Sequence, residues 1–258
     1  MQQRHTDRGL YFHELATTCK NYFIPYIQKW HNVDAETAVL EIGCGEGGNL
    51  LPFAEIGCST TGVDIAARRI KEAQHFFNAC KAEGKFIAED IFKLKDLENS
   101  YDLIICHDVI EHIDDKDLFM SKIGNYLKAD GVVFMSFPAW QMPFGGHQQI
   151  SKNKILSHLP FVHLLPTSFY KALIKLFGED EGNTKELLAI KRTGITIERF
   201  EKIINHTNLS IKHRELWFIN PHYKTKFGLT PRKLPRLFSN IPYFRNYLTS
   251  SCFYILSR

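Results

Sequence analysis

The chemistry of this chain begins at Val39-Leu40-Glu41-Ile42-Gly43-Cys44-Gly45-Glu46-Gly47-Gly48-Asn49, an apolar run that ends in a cluster of glycines. Glycine lets backbone turn sharply and come into bare contact with a ligand. A helical pattern follows at Leu50, Leu51, Phe53 and Ala54. The open N–H groups at a helix start favour an anionic or carboxylate-bearing ligand. Two more apolar runs end in acids. Thr60-Thr61-Gly62-Val63 leads into Asp64, about twenty residues past the first glycine, where a ribose diol is held. Gly84-Lys85-Phe86-Ile87-Ala88 leads into Glu89-Asp90-Ile91. There an acid could take an adenine amino group while an aliphatic side chain packs on its ring. Together these spacings describe a nucleotide-type pocket.

Which nucleotide is open at this level. Gly43, Gly45 and Gly48 satisfy the dinucleotide spacing G-x-G-x-x-G, a weak match by itself. Gly43, Gly45 and Gly47 after Glu41 satisfy an acid followed by G-x-G-x-G. With the acids at Asp64 and Asp90, and with Tyr101-Asp102-Leu103-Ile104-Ile105-Cys106-His107-Asp108-Val109-Ile110-Glu111-His112-Ile113, the chain resembles the class I S-adenosylmethionine (SAM)-dependent methyltransferases. Within them it is similar to the ubiquinone-methyltransferase-like branch. The resemblance covers residues 36–140 in four ordered motifs.

The resemblance implies roles. Glu41, Gly43, Cys44 and Gly45 belong to the turn that passes backbone close to the methionine part of SAM. Asp64 would accept both ribose hydroxyls, since a carboxylate can take two hydrogen bonds from a vicinal diol. Asp90 would read the adenine, with Glu89 beside it, and Ile65 and Ile91 would sandwich the ring. His107, at the end of the fourth strand, would bring its backbone to the methionine amino end. Nicotinamide folds have no fixed need for the acid at the third strand end.

Methyl transfer from a sulfonium is an in-line displacement that needs alignment and, for a hydroxyl or amine, removal of a proton. His112 and His147 are the candidates. Asp108, Glu111 and His112 stand at i, i+3 and i+4, one face of a helix. That D-x-x-E-H run matches relatives that bind a divalent metal, including quinone and small-RNA O-methyltransferases. In the RNA enzymes a further histidine after the fifth strand completes the set, and His147 lies in the corresponding region. Asp108, Glu111, His112 and His147 could then hold Mg²⁺, Mn²⁺ or a similar ion that orients and acidifies a substrate hydroxyl. His147 as a metal-free base, and a packing role for its Gly-Gly-His turn, stand beside that reading.

The elements that must position these residues follow from periodicity. Strands are expected near 38–42, 60–64, 85–89, 102–107 and 131–137, with helices at 66–81 and 115–129 between them. Gly131 stands where a helix C-cap glycine belongs. Alternating β and α units predict a Rossmann-like α/β fold with a parallel sheet and ligands at the strand carboxyl ends. Residues 211–219 and 251–256 complete seven strands, as an antiparallel hairpin at the sheet edge with a loop of about thirty residues between them. One domain is expected: an N-terminal helical cap (1–35) broken at Pro25, a SAM-binding core (36–138), a helical insertion or lid (139–195), and the C-terminal strands with their basic loop (196–258). Tyr11 and Tyr22 on the cap could touch SAM or substrate, or simply pack. Thr196 reads as the N-cap of a helix over 196–207.

Composition narrows the partners. With 44% hydrophobic and 23% charged residues, the chain reads as an ordinary soluble globular protein. Its net charge of +4 is too mild to imply nucleic acid. The six scattered cysteines suggest neither a disulfide framework nor a zinc finger, which fits a reducing cytoplasm. Cys44, Cys58 and Cys106 read as small buried hydrophobes. The N-terminal Met1-Gln2-Gln3-Arg4-His5 lacks a signal-peptide core, and no apolar run reaches spanning length. No Asp or Glu occurs from Gly131 to Gly178, or from Leu216 to Arg258. Cationic, aromatic segments of this kind suit an anionic, lipid-linked or glycan-linked acceptor, or peripheral membrane contact. The expected function is methyl transfer from SAM to oxygen, before nitrogen, of a small or lipid- or sugar-linked metabolite. The alternatives are an RNA 2′-O-methyltransferase and a SAM-binding protein without transferase activity.

Overall fold

The computed structural model describes residues 7–95 and 97–258, so the polar stretch at Met1–His5 lies outside the described residues. Eight strands form one sheet: β1 (Ala38–Ile42), β2 (Ser59–Asp64), β3 (Lys85–Ala88), β4 (Tyr101–His107), β5 (Leu127–Phe137), β6 (Ser210–Ile219), β7 (Arg232–Lys233) and β8 (Ser251–Ser257). Their order is β3-β2-β1-β4-β5-β8-β6-β7. The first five are parallel, while β8 runs antiparallel to both β5 and β6. The chain reverses direction across the sheet between β1 and β4, and that is where open α/β sheets leave a crevice at the strand ends.

Both faces are covered. On one, Leu40, Ile42, Ile104, Cys106, Val133 and Met135 pack with α5 (Lys116–Tyr126) and α9 (Ile197–Ile204). On the other, Val39, Leu103, Ile105 and Phe134 pack with the N-terminal helices and with α4 (Ala67–Ala79). Consecutive strand residues thus supply opposite faces, the period-two rule of a strand buried on both sides. Five cysteines, Cys44, Cys58 and Cys106 among them, are buried and all six are free thiols; Cys80 is exposed.

Five expectations change. The sheet has eight strands, not seven, because the segment between β6 and β8 folds back and lays β7 on the β6 edge. There Leu234 N donates to Leu216 O at 2.8 Å. That segment is therefore not a plain loop: it carries α10 (His222–Phe227), α11 (Arg236–Ser239) and α12 (Arg245–Leu248). The helix expected over 115–129 ends at Tyr126, where β5 begins early by pairing Leu127 with Tyr101. Gly131 lies inside β5 rather than at a helix cap. A Cβ there would meet Leu127 Cδ1 at 2.8 Å and Asp102 O at 2.9 Å, so glycine serves close approach at the bulge. Pro25 does not break the N-terminal helix outright. A π-helical stretch, Cys19–Phe23, joins α1 (Arg8–Thr18) to α2 (Ile24–Ile27) and absorbs the missing amide donor.

Residues 139–195 hold α6 (Lys154–His158), α7 (Thr167–Leu176) and α8 (Glu181–Thr193), with a small core of their own from Leu156, Val162, Tyr170, Ile174 and Leu187. Thr196 caps α9 as its spacing predicts, accepting from Arg199 N at 3.0 Å.

Candidate active site

The glycine turn is fastened to β2 before any ligand is considered. Gly43 N and Cys44 N both donate to Val63 O, at 2.7 and 3.0 Å. Gly43, Gly45 and Gly47 all have positive φ (71°, 52° and 80°), the region other residues avoid. At Gly43 there is a second reason, since a Cβ would lie 2.3 Å from Val109 Cγ2. The helix does not follow the turn at once. It begins at Leu51, as α3 (Leu51–Ile56), and none of its residues lines the crevice. The backbone facing a ligand here is that of the turn.

Asp64 organises the turn. Its Oδ2 accepts from Gly45 N at 2.9 Å and its Oδ1 from Ala66 N at 2.8 Å. Each carboxylate oxygen keeps a second lone pair for another donor. The crevice beside it has a volume of about 400 Å³, within the range of small-ligand sites. It is lined by Ile42, Gly43, Val63, Asp64, Ile65 and Arg69 on one side. Glu89, Asp90, Ile91 and Phe92 after β3, and Asp108, Val109, His112, Ile113 and Phe119, complete it. Glu89 Oε1 accepts from Asp90 N at 2.8 Å, and Asp90 Oδ1 accepts from Phe92 N at 2.9 Å. The acid at the third strand end thus shapes its own turn and leaves one oxygen of Asp90 for a ligand.

Of the residues singled out by sequence, Gly43, Asp64, Ile65, Glu89, Asp90, Ile91, Asp108 and His112 line this crevice. Glu41, Cys44, Gly45, His107, Glu111 and His147 do not line it. Glu41 is buried under the turn, where its Oε1 accepts from Asn49 Nδ2 at 2.7 Å and Oε2 has no partner among the described residues. Burial, opposed by the Asn49 hydrogen bond and helped by Asp64, pushes its carboxyl up to about 8. Cys44 turns its sulfur toward Gly62. His107 ends β4 with its ring 5.0 Å from that of Phe23. Tyr22 stands edge-on to Trp217, whereas burial and the nearby Asp108 and Glu46 charges push the Tyr11 hydroxyl up to about 12.

The run after β4 is not one helical face. Asp108 takes positive φ (54°), and only Ile110–His112 makes a 3₁₀ turn. The i, i+3, i+4 alignment is lost, and Asp108 drops out of the expected four-ligand set. Glu111, His112 and His147 stay together, with one potential ligand atom from each within 4.8 Å of the others. The two imidazole rings meet edge to face at 5.3 Å. Glu111 is 3% exposed, and neither carboxylate oxygen has a hydrogen-bond partner among the described residues. Burial, then Asp108, raises its pKa well above the usual carboxylate range. Burial holds His112 below its ordinary value. His147 is pushed down to about 4 by burial first, then by His112, against the opposing pull of Asp108. An orphaned carboxylate beside two neutral imidazoles fits a divalent cation of the imidazole–carboxylate type. The turn bearing His147 is built for rigidity. A Cβ at Gly146 would meet His163 Cβ at 2.2 Å, and Gln148 Nε2 donates to Pro143 O and Leu159 O.

Sequence reading missed Arg69 and α10. Arg69 opens α4 and lies 3.9 Å from where a Gly45 Cβ would stand; in sequence it is one of several helix cations. Helix α10 packs on α1 through Thr18 Oγ1 and His222 Nδ1, 3.0 Å apart. Asp108 contributes, after burial, to raising Tyr223 of that helix to about 12. Only the folded chain brings this helix over the β4 loop.

Residues 12–173 match a family model described as a methyltransferase domain. Similar curated proteins are ubiquinone biosynthesis O-methyltransferases. That of Mesorhizobium japonicum is 30% identical over 171 residues, 61% of this chain and 62% of the relative. That of Brucella ovis is 31% identical over 158 residues, with the same coverages of 61% and 62%. That of Chelativorans sp. is 34% identical over 98 residues, 38% of this chain and 39% of the relative. The chain thus spans between 39% and 62% of the length of these three relatives. Among solved structures, a putative sarcosine dimethylglycine methyltransferase from Galdieria sulphuraria superposes with a TM-score of 0.61 at 13% identity, covering 92% of this chain and 84% of that one. The magnesium protoporphyrin IX methyltransferase of Synechocystis PCC 6803 with bound SAH gives 0.57 at 16% identity, over 95% and 83%. At these identities the likeness speaks for the fold.

Proposed function

This chain belongs to the methyltransferase domain family, and we propose that it moves the methyl group of SAM to a hydroxyl oxygen of a small or lipid- or sugar-linked metabolite. The observation that carries the proposal is one crevice in which Asp64 and Asp90 face a nucleoside-sized space while His112 opens toward Glu111 and His147. The O-methyltransferase names of the curated relatives support oxygen before nitrogen.

In this reading Asp64 takes the ribose hydroxyls while still holding Gly45 and Ala66, and Ile65 and Ile91 flank the adenine. SAM supplies an electrophilic methyl on a sulfonium. The acceptor oxygen forms a bond to that carbon as the carbon–sulfur bond breaks, and the bonding pair discharges the sulfonium. The hydroxyl proton leaves to an imidazole. His147 can take that proton because burial keeps its imidazole in the neutral, accepting form. Glu111, His112 and His147 are the residues that would hold a divalent ion, whose contribution when bound would be to acidify the acceptor hydroxyl.

The test is calorimetric titration with SAM and with SAH, followed by turnover on catechol- and quinol-type acceptors with and without chelator. SAH binding with turnover supports the proposal, and no SAH binding overturns it. SAH binding without turnover on any hydroxyl acceptor leaves a SAM-binding protein and overturns the transferase part. Activity lost to chelator and restored by a divalent ion assigns the ion, whereas unchanged activity removes the ion and leaves the imidazole to be tested by substitution. His147→Ala is expected to leave SAH affinity within about twofold and to cut turnover by roughly 10²-fold or more, the usual scale of general-base catalysis.

A further inference from the structure

On the edge of the sheet, away from the crevice, a second cavity of about 350 Å³ is lined by Arg214, Lys233, Arg236, Ser239 and Asn240, together with His213 and Glu215. Its charges are unevenly matched. Arg214 pairs with Glu201 at 2.6 Å and Lys233 with Glu215 at 2.5 Å. Arg236 has no carboxylate partner among the described residues. No acid follows Glu215 in the chain, so nothing downstream offsets Arg232 and Arg236. A cavity with surplus guanidinium charge, a hydroxyl and an amide suits a phosphate group.

The chain that supplies Arg236 also breaks the usual surface pattern. From α11 to α12 it exposes Leu237 (73%), Phe238, Ile241, Tyr243 (69%), Phe244 and Tyr247 within eleven residues. Exposed apolar side chains are normally scattered singly, and a run of them marks an interaction surface. Phe238 and Phe244 lie 6.4 Å apart, and Tyr247 is 6.4 Å from Phe161 of the insertion. Phe161 N in turn donates to Pro143 O, in the turn that carries His147. The apolar surface is therefore tied to the structure around the proposed acceptor side. Tyrosine and phenylalanine beside arginine, in a segment that carries no acid of its own, is the composition that settles at an anionic lipid–water boundary. The aromatic rings enter the headgroup layer while the cations meet phosphate.

We propose that this surface docks on an anionic phospholipid bilayer, with a headgroup phosphate taken by Arg236 and Lys233 and with Leu237, Tyr243 and their neighbours entering the interface. The consequence is that the methyl acceptor is a lipid-tailed molecule drawn from that bilayer. Only this consequence rests on the methyltransferase reading; docking is measured without turnover, so either can fail alone.

The test is flotation of the full chain with vesicles of phosphatidylcholine alone and with added phosphatidylglycerol, at low and high salt. Expected is binding to the anionic vesicles that weakens with salt, and little to phosphatidylcholine. Lys233→Ala with Arg236→Ala, and separately Leu237→Asp with Tyr243→Asp, should each weaken it roughly tenfold or more, the scale of losing two membrane-facing groups. Both pairs should keep wild-type SAH affinity and Tm. Five results overturn the proposal. One is no binding to anionic vesicles, and another is equal binding to both vesicle types. The third is vesicle binding untouched by either pair of substitutions. The fourth is wild-type protein that light scattering shows to be a dimer, and that Leu237→Asp converts to a monomer, without vesicle binding. Glycerol phosphate that binds the free protein while vesicles do not would likewise assign the cavity to a soluble phosphate and overturn docking.

Discussion

Asp64 carries two duties with one carboxylate. It holds Gly45 N and Ala66 N and still faces the crevice, so its removal should act on binding and on architecture together. Asp64→Ala is expected to weaken SAH binding at least tenfold, since a hydrogen bond to a charged acceptor is worth roughly 1.5–3 kcal/mol. Tm should also fall, because two backbone donors lose their acceptor; calorimetry with SAH and thermal melting check both parts. Glu41 gives a pH signature. Its carboxyl sits near 8 in the fold against about 4.3 in an unfolded chain. Between those values the folded state holds a proton that the unfolded state has released. The contribution of this site to stability is therefore fully present below the unfolded pKa and is lost as pH rises toward and through about 8. Glu41→Gln, which has no proton to lose, should gain stability relative to wild type as pH rises through that window. Parallel melts at pH 5 and pH 9 read it, and a constant difference would remove the assignment. Among these residues Asp64 and Asp90 were legible because each ends an apolar run. Arg69 was not, because an arginine on a helix shows in sequence neither its face nor its neighbour.

At the scale of elements, the strands of the core were legible from apolar runs bounded by glycine and acids, and β1, β2 and β4 lie within a residue of where periodicity puts them. Errors fell where tertiary contact overrides local pattern. Helix α5 loses its last turn to strand pairing, and the D-x-x-E-H run forms a 3₁₀ turn beneath Gly43 and Val109 instead of a helix. The close contact of Gly43 with Val109 is testable. Gly43→Ala should lower Tm, through a left-handed φ costing about 1–2 kcal/mol and through the clash, and should abolish SAH binding. Adding Val109→Ala removes the clashing methyls and should recover part of the lost Tm. No recovery would mean that the backbone conformation alone sets the requirement.

Across the whole molecule, long-range ties that no local motif announces hold the C-terminal segment in place. Arg245, 6% exposed, donates to Glu198 Oε1 and Glu201 Oε2, both at 2.9 Å. Glu201 also takes Arg214 and the Tyr254 hydroxyl. Asn246 bridges Glu198 and the Ile197 amide. These bonds join α9, β6, β8 and the loop that carries α11 and α12. Arg245→Met should destabilise the fold by about 3 kcal/mol or more, because breaking one side of a buried ion pair leaves the other uncompensated. Chemical denaturation measures it, and a change under 1 kcal/mol would mark the pair as an ordinary surface bridge. The most direct measurement of the central claim is a crystal structure of the chain with SAH. Expected there are the ribose hydroxyls on Asp64, the adenine between Ile65 and Ile91 with Asp90 at its amino group, and the sulfur facing His112 and His147. SAH bound outside this crevice, or inside it with the ribose away from Asp64, would contradict it.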